Sequence, residues 1–363
     1  MSKQDLMGDT PIVKVNLEKM EDNIRWLAQL AKEANVKLRP HTKTHKSPFI
    51  AHEQLKAGAS GITTATLGEA EVMANSGIKD ILIAFPIIGA KKLERFQKLF
   101  ENNNLIVGLD DYKIAIGLNE VGSRLNKKVP IYFDIDTGLG RMGRMPEESI
   151  EHIYKTSELP FIDVIGLMSH TGHAYKAQNE EEMRKIAIEE ATKLNDVKNR
   201  LKEKDIIIKE ISVGASATAR FIKDIPFITE VRAGMYVFND RMVMGAGGAN
   251  INDCALTIWA TIVSKPNNNR MLIDAGSKTL TYDSFKGGGY GYIKGHENLT
   301  INNLSEEHGF VEVTGHTNLE IGDVVEIIPN HVCPVVNLTD NLFGFRNNEF
   351  ERIISVEARG KNR

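Results

Sequence analysis

A closed (β/α)8 barrel followed by a C-terminal all-β domain is the α/β architecture this sequence predicts. Three observations predict it. Up to about residue 245, eight short β-branched runs alternate with amphipathic helical stretches. Eight such units in roughly 230 residues match a closed barrel, whose usual size is about 250. Beyond that point helical periodicity stops, and strand-like runs punctuated by Gly and Asn take over. A doubly wound open sheet is the alternative for the first part.

In order along the chain, Pro11–Val15 is strand-like and placed to join the later sheet. Asn16 and Leu17 open a helix, with Glu18 and Glu21 in its first turns, where acidic side chains suit the helix dipole. The barrel strands fall at Val36–Arg39, Gly61–Ala65, Asp80–Phe85, Leu105–Leu109, Val129–Asp134, Phe161–Met168, Ile206–Val213 and Thr229–Arg232. The clearest helix runs from about Glu181 to Lys204, where Met183, Ile186, Leu194, Val197 and Leu201 recur at helical spacing. Later strands are expected at Ala255–Val263, Arg270–Asp274, Gly309–Val313, Asp323–Ile328 and Glu351–Val356, with a mobile loop at Gly287–Gly289. The expected domains are residues 1–16 as a strand joining the β domain, 17–245 as the barrel, and 246–363 as the β domain.

Composition excludes several classes. Basic and acidic residues nearly balance, 45 against 48, so there is no electrostatic footprint for nucleic acid or an anionic membrane. No apolar run approaches the roughly 20 residues of a membrane helix. Met1–Thr10 lacks the apolar core of a secretory signal. Two cysteines, Cys254 and Cys333, are too few for a disulfide scaffold and fit a reducing compartment. A cytoplasmic enzyme is the expectation.

The densest chemical cluster is Arg39-Pro40-His41-Thr42-Lys43-Thr44-His45-Lys46, at the C-terminal end of the first barrel strand, where barrel active sites lie. On an extended chain His41, Lys43 and His45 share one face. A lysine among other cations, partly desolvated, has a lowered pKa and supplies the neutral amine that Schiff-base chemistry needs. A basic, solvated loop is the plainer alternative. Ser212–Thr218 and Arg232–Tyr236 follow the seventh and eighth strands, where small residues and backbone N–H groups build the usual barrel phosphate site. A first-strand lysine plus that cup suggests pyridoxal phosphate. Asp134–Gly143 and Ser169–Tyr175, after strands five and six, stand where ring-stacking and oxygen-binding groups are wanted, though either could be polar loop.

In the β domain, Pro329-Asn330-His331-Val332-Cys333-Pro334 puts His331 and Cys333 two apart, facing the same way if they lie on a strand. Imidazole plus thiolate favours zinc. Two protein ligands are too few for a closed structural site and leave positions open for water or substrate. A buried structural cysteine beside a satisfied histidine is the alternative. Glu306-Glu307-His308 lacks helical zinc spacing. Ala275–Thr279 ends like a phosphate-binding loop but lacks its first glycine, and Gly245–Gly248 lacks the third glycine of a dinucleotide motif.

Over nearly its whole length the chain resembles the fold-type III pyridoxal phosphate enzymes with an alanine-racemase-like barrel, and within them the D-serine dehydratase / D-threonine aldolase family. The lysine motif Arg39–Lys46 and the His-x-Cys pair carry the resemblance. Thr10-Pro11, Gly172-His173, Glu306-Glu307-His308 and Pro329–Cys333 also look like that family's signatures. The resemblance makes Lys43 the Schiff-base lysine. Ser216, Gly234 and Met235, with Tyr236 beside them, match the phosphate-binding positions. Arg141, in the Asp136-Thr137-Gly138 stretch, matches the arginine on the cofactor's phenolic oxygen, and His170 the histidine beside the ring. His173 and Tyr175 complete that loop. Arg232 sits where alanine racemases keep an arginine against the pyridine nitrogen, which weakens the electron sink. His331 and Cys333 match the zinc pair of D-serine dehydratases, with manganese as the other candidate metal.

What the resemblance implies is a pyridoxal phosphate- and metal-dependent lyase acting on D-β-hydroxy amino acids. Family aldolases more often show Asp in place of the cysteine, so Cys333 points to D-serine dehydration. Retro-aldol cleavage of D-threonine to glycine and an aldehyde uses the same parts. A racemase needs a second base on the opposite face, for which Tyr290 of the partner subunit is a candidate. A pyridoxal phosphate-binding protein without turnover would resemble the barrel alone. The family shape further implies a homodimer.

Overall fold

The computed structural model describes residues 3–363. The chain forms two compact units. One is made of the N-terminal segment up to Ile24, Thr44–Phe49 and Met235–Arg359. The other is made of Arg25–Lys43, Ile50–Gly234 and Gly360–Arg363.

Strand β1 (Ile12–Asn16) belongs to the first unit. The second is built on β2 (Lys37–Leu38), β3 (Ile62–Thr64), β4 (Asp80–Ile83), β5 (Asn104–Leu109), β6 (Val129–Asp134), β7 (Ile162–Met168), β8 (Glu210–Val213) and β9 (Glu230–Val231). These pair in parallel in the order β2-β9-β8-β7-β6-β5-β4-β3. A bridge between His41 and Thr63, with the Thr63 amide donating to Pro40 O at 2.8 Å, joins the two ends into a closed barrel. All eight expected strands are present. The run Ile206–Val213 pairs only from Glu210 onward, because Ile207 is exposed and the residues before Glu210 form a loop.

The barrel interior packs Leu82, Tyr132 and Met168 together. Gly166 makes room for this: a Cβ there would lie 2.6 Å from the Tyr132 ring. The long helix Glu180–Lys202 is capped by Asn179, whose side chain accepts from the Glu182 amide at 2.9 Å. It buries Met183, Ala187, Ala191, Leu194, Val197 and Leu201 at helical spacing.

The β-rich unit adds β10 (Leu256–Asn267), β11 (Arg270–Ile273), β12 (Tyr292–Ile293), β13 (Leu299–Leu304), β14 (Gly309–Val313), β15 (Val324–Ile328), β16 (Asn341–Arg346) and β17 (Glu349–Ser355). They run in the order β13-β14-β11-β10-β1-β16-β17, with β15 also beside β10 and β12 beside β15. Strand β1 pairs antiparallel with β10 and parallel with β16. Leu6, Ile12, Trp259 and Phe345 form a core cluster here. Lys14 sits 4.7 Å from the centre of the Trp259 ring and pairs with Glu326 at 3.3 Å.

Two expectations change. Strands β12, β13 and β16 did not stand out in the sequence, because asparagines interrupt β13, a glycine interrupts β16 and β12 is two residues long. Nor is this region free of helix: Ser277–Leu280 and Val332–Asn337 are helical but too short to show a period. No described helix is long and apolar enough to cross a membrane.

Candidate active site

The C-terminal ends of the barrel strands carry the first group of residues. After β2 the chain passes through His41 into a 3-10 turn, Thr42–Thr44, with Lys43 at its centre. The turn replaces the extended run on which His41, Lys43 and His45 would share a face. His45 is fully buried, and its Nδ1 accepts from the Ser47 amide at 3.1 Å. Burial, then the charges of Lys43 and Arg232, hold the His41 pKa well below the usual range.

After β6, Asp136 accepts hydrogen bonds from the amides of Gly138, Leu139 and Gly140 at 2.9, 2.9 and 3.0 Å. Burial opposes its charge, but these amides keep its carboxyl below the ordinary range. The tight loop so formed carries Arg141. After β7, His170 Nδ1 donates to Gly214 O at 2.8 Å, which makes Nε2 the acceptor nitrogen. Burial, and then the charge of Lys43, push its pKa down to about 3, so the ring is neutral at neutral pH. His173 and Tyr175 follow in the 3-10 turn Gly172–Lys176. His173 Nδ1 is buried with no hydrogen-bond partner among the described residues.

After β8 the chain passes through Gly214, at φ +145°, to the buried Ser216. A Cβ on Gly214 would lie 2.9 Å from the Arg232 amide nitrogen, so only glycine allows this approach. After β9 come Arg232 and Gly234. Arg232 is buried, donating from Nη1 to Ser212 Oγ at 2.6 Å and from Nη2 to Ser169 O at 2.7 Å. Ser212 donates to Glu230 Oε1 at 2.7 Å, and Glu230 Oε2 takes Arg39 Nε at 2.7 Å. Arg39 also pairs with Asp80. Near Arg232, burial raises the carboxyls of Asp134 and Glu190 to about 7.

The barrel unit thus gathers Lys43, Arg141, His170 and Arg232 close enough to act on one another's ionisation. Three cations around a neutral imidazole, a glycine-lined strand end, a buried serine and an unpartnered buried His173 nitrogen suit an anionic, ring-bearing cofactor such as pyridoxal phosphate.

The β-rich unit holds the remaining candidates. Met235 and Tyr236 begin it in the 3-10 turn Met235–Val237, with Tyr236 buried. His331 and Cys333 do not lie on a strand. His331 is the N-cap residue of the helix Val332–Asn337, and Cys333 lies in that helix's first turn. The buried Asp240 carboxylate accepts from the amides of Val332 and Val243, both at 2.9 Å, and so fixes the starts of two short helices. His331 Nδ1 meets Asp283 Oδ2 at 2.6 Å. Burial opposes the imidazolium, but the Cys333 thiol, Asp240 and Asp283 raise its pKa to about 9. Thr44 Oγ1 lies 3.3 Å from Cys333 Sγ, and Thr44 directly follows Lys43 in the chain. No three His, Cys, Asp or Glu residues converge to hold a metal among the described residues. An imidazole oriented by a carboxylate next to a thiol fits a zinc-like ion with two protein ligands and open positions.

Residues 15–242 match the family described as "Alanine racemase, N-terminal domain". The chain belongs to that family. Residues 255–345 match the "Putative serine dehydratase domain". The chain is 30% identical over 363 residues to a D-threonine aldolase of Arthrobacter sp, covering 98% of this chain and 94% of that one. It is 28% identical over 362 residues to a D-serine dehydratase of Dictyostelium discoideum, covering 90% of each. Among solved structures, D-threonine aldolase from Filomicrobium marinum superposes with a TM-score of 0.91 at 26% identity, covering 98% of this chain and 96% of that one. A cysteine-to-alanine mutant of D-threo-3-hydroxyaspartate dehydratase in the metal-free form gives 0.87 at 26% identity, covering 95% and 97%. Members of this lineage include aldolases and dehydratases, and the chain is a lyase of this pyridoxal phosphate-dependent type.

Several residues of the site were not singled out by the sequence. Glu190 could have been, since it occupies a core position on the apolar stripe between Ala187 and Leu194. Asp283 could not, lying 48 residues from the His331 it meets; Asp240 shows locally only as an N-cap to Val243, and its bond to Val332 spans 92 residues.

Proposed function

We propose that the protein is a pyridoxal phosphate- and metal-dependent dehydratase of D-β-hydroxy amino acids, with D-serine, giving pyruvate and ammonia, as the leading substrate. The observation that carries the reading is Cys333, oriented beside His331 and 3.3 Å from the hydroxyl of the residue that follows Lys43. A cysteine-to-alanine mutant of a related dehydratase has been solved in a metal-free form, which supports metal binding in that relative.

Lys43 is the covalent anchor for the cofactor. Ser216, Gly234, Met235 and Tyr236 hold its phosphate. Arg141 and His170 flank the ring with His173 and Tyr175, and Arg232 faces the pyridine nitrogen. His331 and Cys333 hold the metal, zinc first and manganese second. Bound pyridoxal phosphate supplies a sink for the electron pair left on Cα, and a bound divalent metal supplies the Lewis acid that eases departure of the β-hydroxyl. Lys43 Nζ, freed as the substrate amine takes its place on the cofactor, would take the proton from Cα. Neutral His170 presents Nε2 as an acceptor and adds no charge. Arg232, whose charge burial opposes and the nearby Glu230 carboxylate favours, discourages proton uptake at the pyridine nitrogen. That suits elimination, in which charge leaves with the β-oxygen. We place the enzyme in the cytoplasm as a homodimer; a monomeric mass by light scattering at micromolar concentration would contradict the latter.

A second reading, retro-aldol cleavage, is favoured by the 30% identity to a D-threonine aldolase. There a base removes the proton of the β-hydroxyl and the Cα–Cβ bond breaks. The test is to incubate cofactor- and zinc-loaded enzyme with D-serine before and after EDTA. Pyruvate that disappears on chelation and returns with zinc supports the proposal. Chelation-resistant pyruvate removes the metal from it, and no pyruvate removes D-serine.

A further inference from the structure

The glycine-rich segment around Gly287–Gly291 has few side chains with which to hold itself, and Gly288, Gly289 and Gly291 all adopt positive φ. Two side chains from elsewhere hold it. Asn330, 1% exposed, donates from Nδ2 to Asp283 O and to Gly289 O, both at 2.8 Å. Its Oδ1 accepts from Arg241 Nη1 at 2.8 Å. Arg241 also donates to Gly288 O at 3.0 Å and Gly291 O at 3.3 Å, and its guanidinium lies 4.1 Å from the centre of the Phe285 ring. Backbone bonds tie the two together as well: the Arg241 amide donates to Pro329 O at 3.2 Å and the Met242 amide to Asn330 O at 3.1 Å.

We propose that Asn330 and Arg241 are positioning residues: they clamp the Asp283–Gly291 segment so that the Asp283 carboxylate fixes the His331 ring for metal binding. This rests on the reading that His331 and Cys333 hold a metal. The chemistry is that of a carboxylate behind a metal-bound imidazole. Asp283 accepts a hydrogen bond from Nδ1–H, which leaves the Nε2 lone pair for the ion and fixes the plane of the ring. Asp283 can do this only if its own backbone is held, and Asn330, the residue next to His331, bonds the Asp283 carbonyl directly. The amide of Asn330 suits the task because its two N–H groups face two carbonyls while its oxygen faces a guanidinium. A carboxylate in its place would meet the same two carbonyls with acceptors alone.

The test measures zinc affinity of the full-length protein by competition with a chromophoric chelator, in wild type, Asp283→Ala, Asp283→Asn and Asn330→Asp. Asp283→Ala and Asn330→Asp are each expected to weaken zinc by roughly 10–100-fold. Asp283→Asn is expected to lose less, because an amide oxygen still accepts from Nδ1–H. Cobalt-loaded wild type is expected to show thiolate-to-metal absorption that weakens in Asp283→Ala, while cofactor absorbance stays unchanged in every variant. If Asn330→Asp does not fold, Arg241→Gln carries the same expectation. Wild-type zinc affinity in both Asp283→Ala and the clamp variant overturns this inference alone. A wild type that binds no zinc overturns the metal reading and this inference with it.

Discussion

Thr44 Oγ1 lies 3.3 Å from Cys333 Sγ, and both atoms belong to the β-rich unit although Thr44 is covalently joined to Lys43 of the barrel unit. Thr44 is fully buried, so nothing but protein competes for its hydroxyl. Thr44→Val keeps the branched shape and removes that contact. A hydrogen bond of about 1 kcal/mol converts to roughly fivefold weaker zinc binding, with cofactor absorbance unchanged. Chelator competition checks this, and unaltered zinc affinity would mean the hydroxyl does not orient the thiol.

Arg39 and Glu230 form the buried base of the network beneath Arg232. The Arg39 side chain is 6% exposed and that of Glu230 is 0% exposed, with Nε to Oε2 at 2.7 Å. Glu230→Leu leaves the buried Arg39 with the part-exposed Asp80 as its ion-pair partner and takes the acceptor from Ser212 Oγ, so it should cost towards the lower end of the about 3–5 kcal/mol lost when a buried pair is broken. The double change Arg39→Met with Glu230→Leu should recover part of that loss. Urea unfolding of the three proteins decides it. A double variant less stable than the Glu230 variant would contradict this picture of the pair.

Glu190 carries a pH signature. Burial lifts its folded pKa to about 7, against about 4.3 in an unfolded chain. Between those values the native state holds a proton that the unfolded state has released. Stability from this group is therefore greatest at low pH, falls as pH rises through about 7, and is level above that. Asp134, also lifted to about 7, adds a slope of the same sign. Glu190→Gln should flatten the decline between about pH 5 and 7 and recover on the order of 3 kcal/mol at pH 8. An unchanged slope in unfolding free energy against pH would assign the effect elsewhere.

Lys43 is expected to be the sole anchor of the cofactor. Borohydride reduction of the loaded wild type should fix pyridoxyl mass to the peptide containing Lys43, and Lys43→Ala should lose both the label and the visible absorbance. Label on a different lysine would reassign the anchor. Retained affinity for free pyridoxal phosphate in Lys43→Ala would still be consistent, because the phosphate contacts proposed for Ser216 and its neighbours do not depend on Lys43.

Much of this was legible in the sequence, for identifiable reasons. The barrel strands are short β-branched runs buried on both faces, and Val129–Asp134 appears with the ends read from sequence alone. The helix expected near Glu181–Lys204 was found at Glu180–Lys202, because Met183, Leu194, Val197 and Leu201 recur at helical spacing and are buried. Local geometry was harder. Lys43 sits in a 3-10 turn and His331 caps a six-residue helix, and neither element is long enough to leave a period. The partners that tune the site were hidden for another reason. Asp283 meets His331, and Glu230 meets Arg39, across 48 and 191 residues of chain, and a single sequence carries no sign of such long-range pairs.

D-threonine distinguishes the two chemistries in one tube. The enzyme, loaded with pyridoxal phosphate and zinc, is incubated with it, and both possible product sets are quantified together. Dehydration through His331 and Cys333 predicts 2-oxobutanoate and ammonia in equal amounts, lost in Cys333→Ala. Glycine and acetaldehyde in place of the oxoacid would contradict dehydration and make the protein an aldolase that carries cysteine at this position.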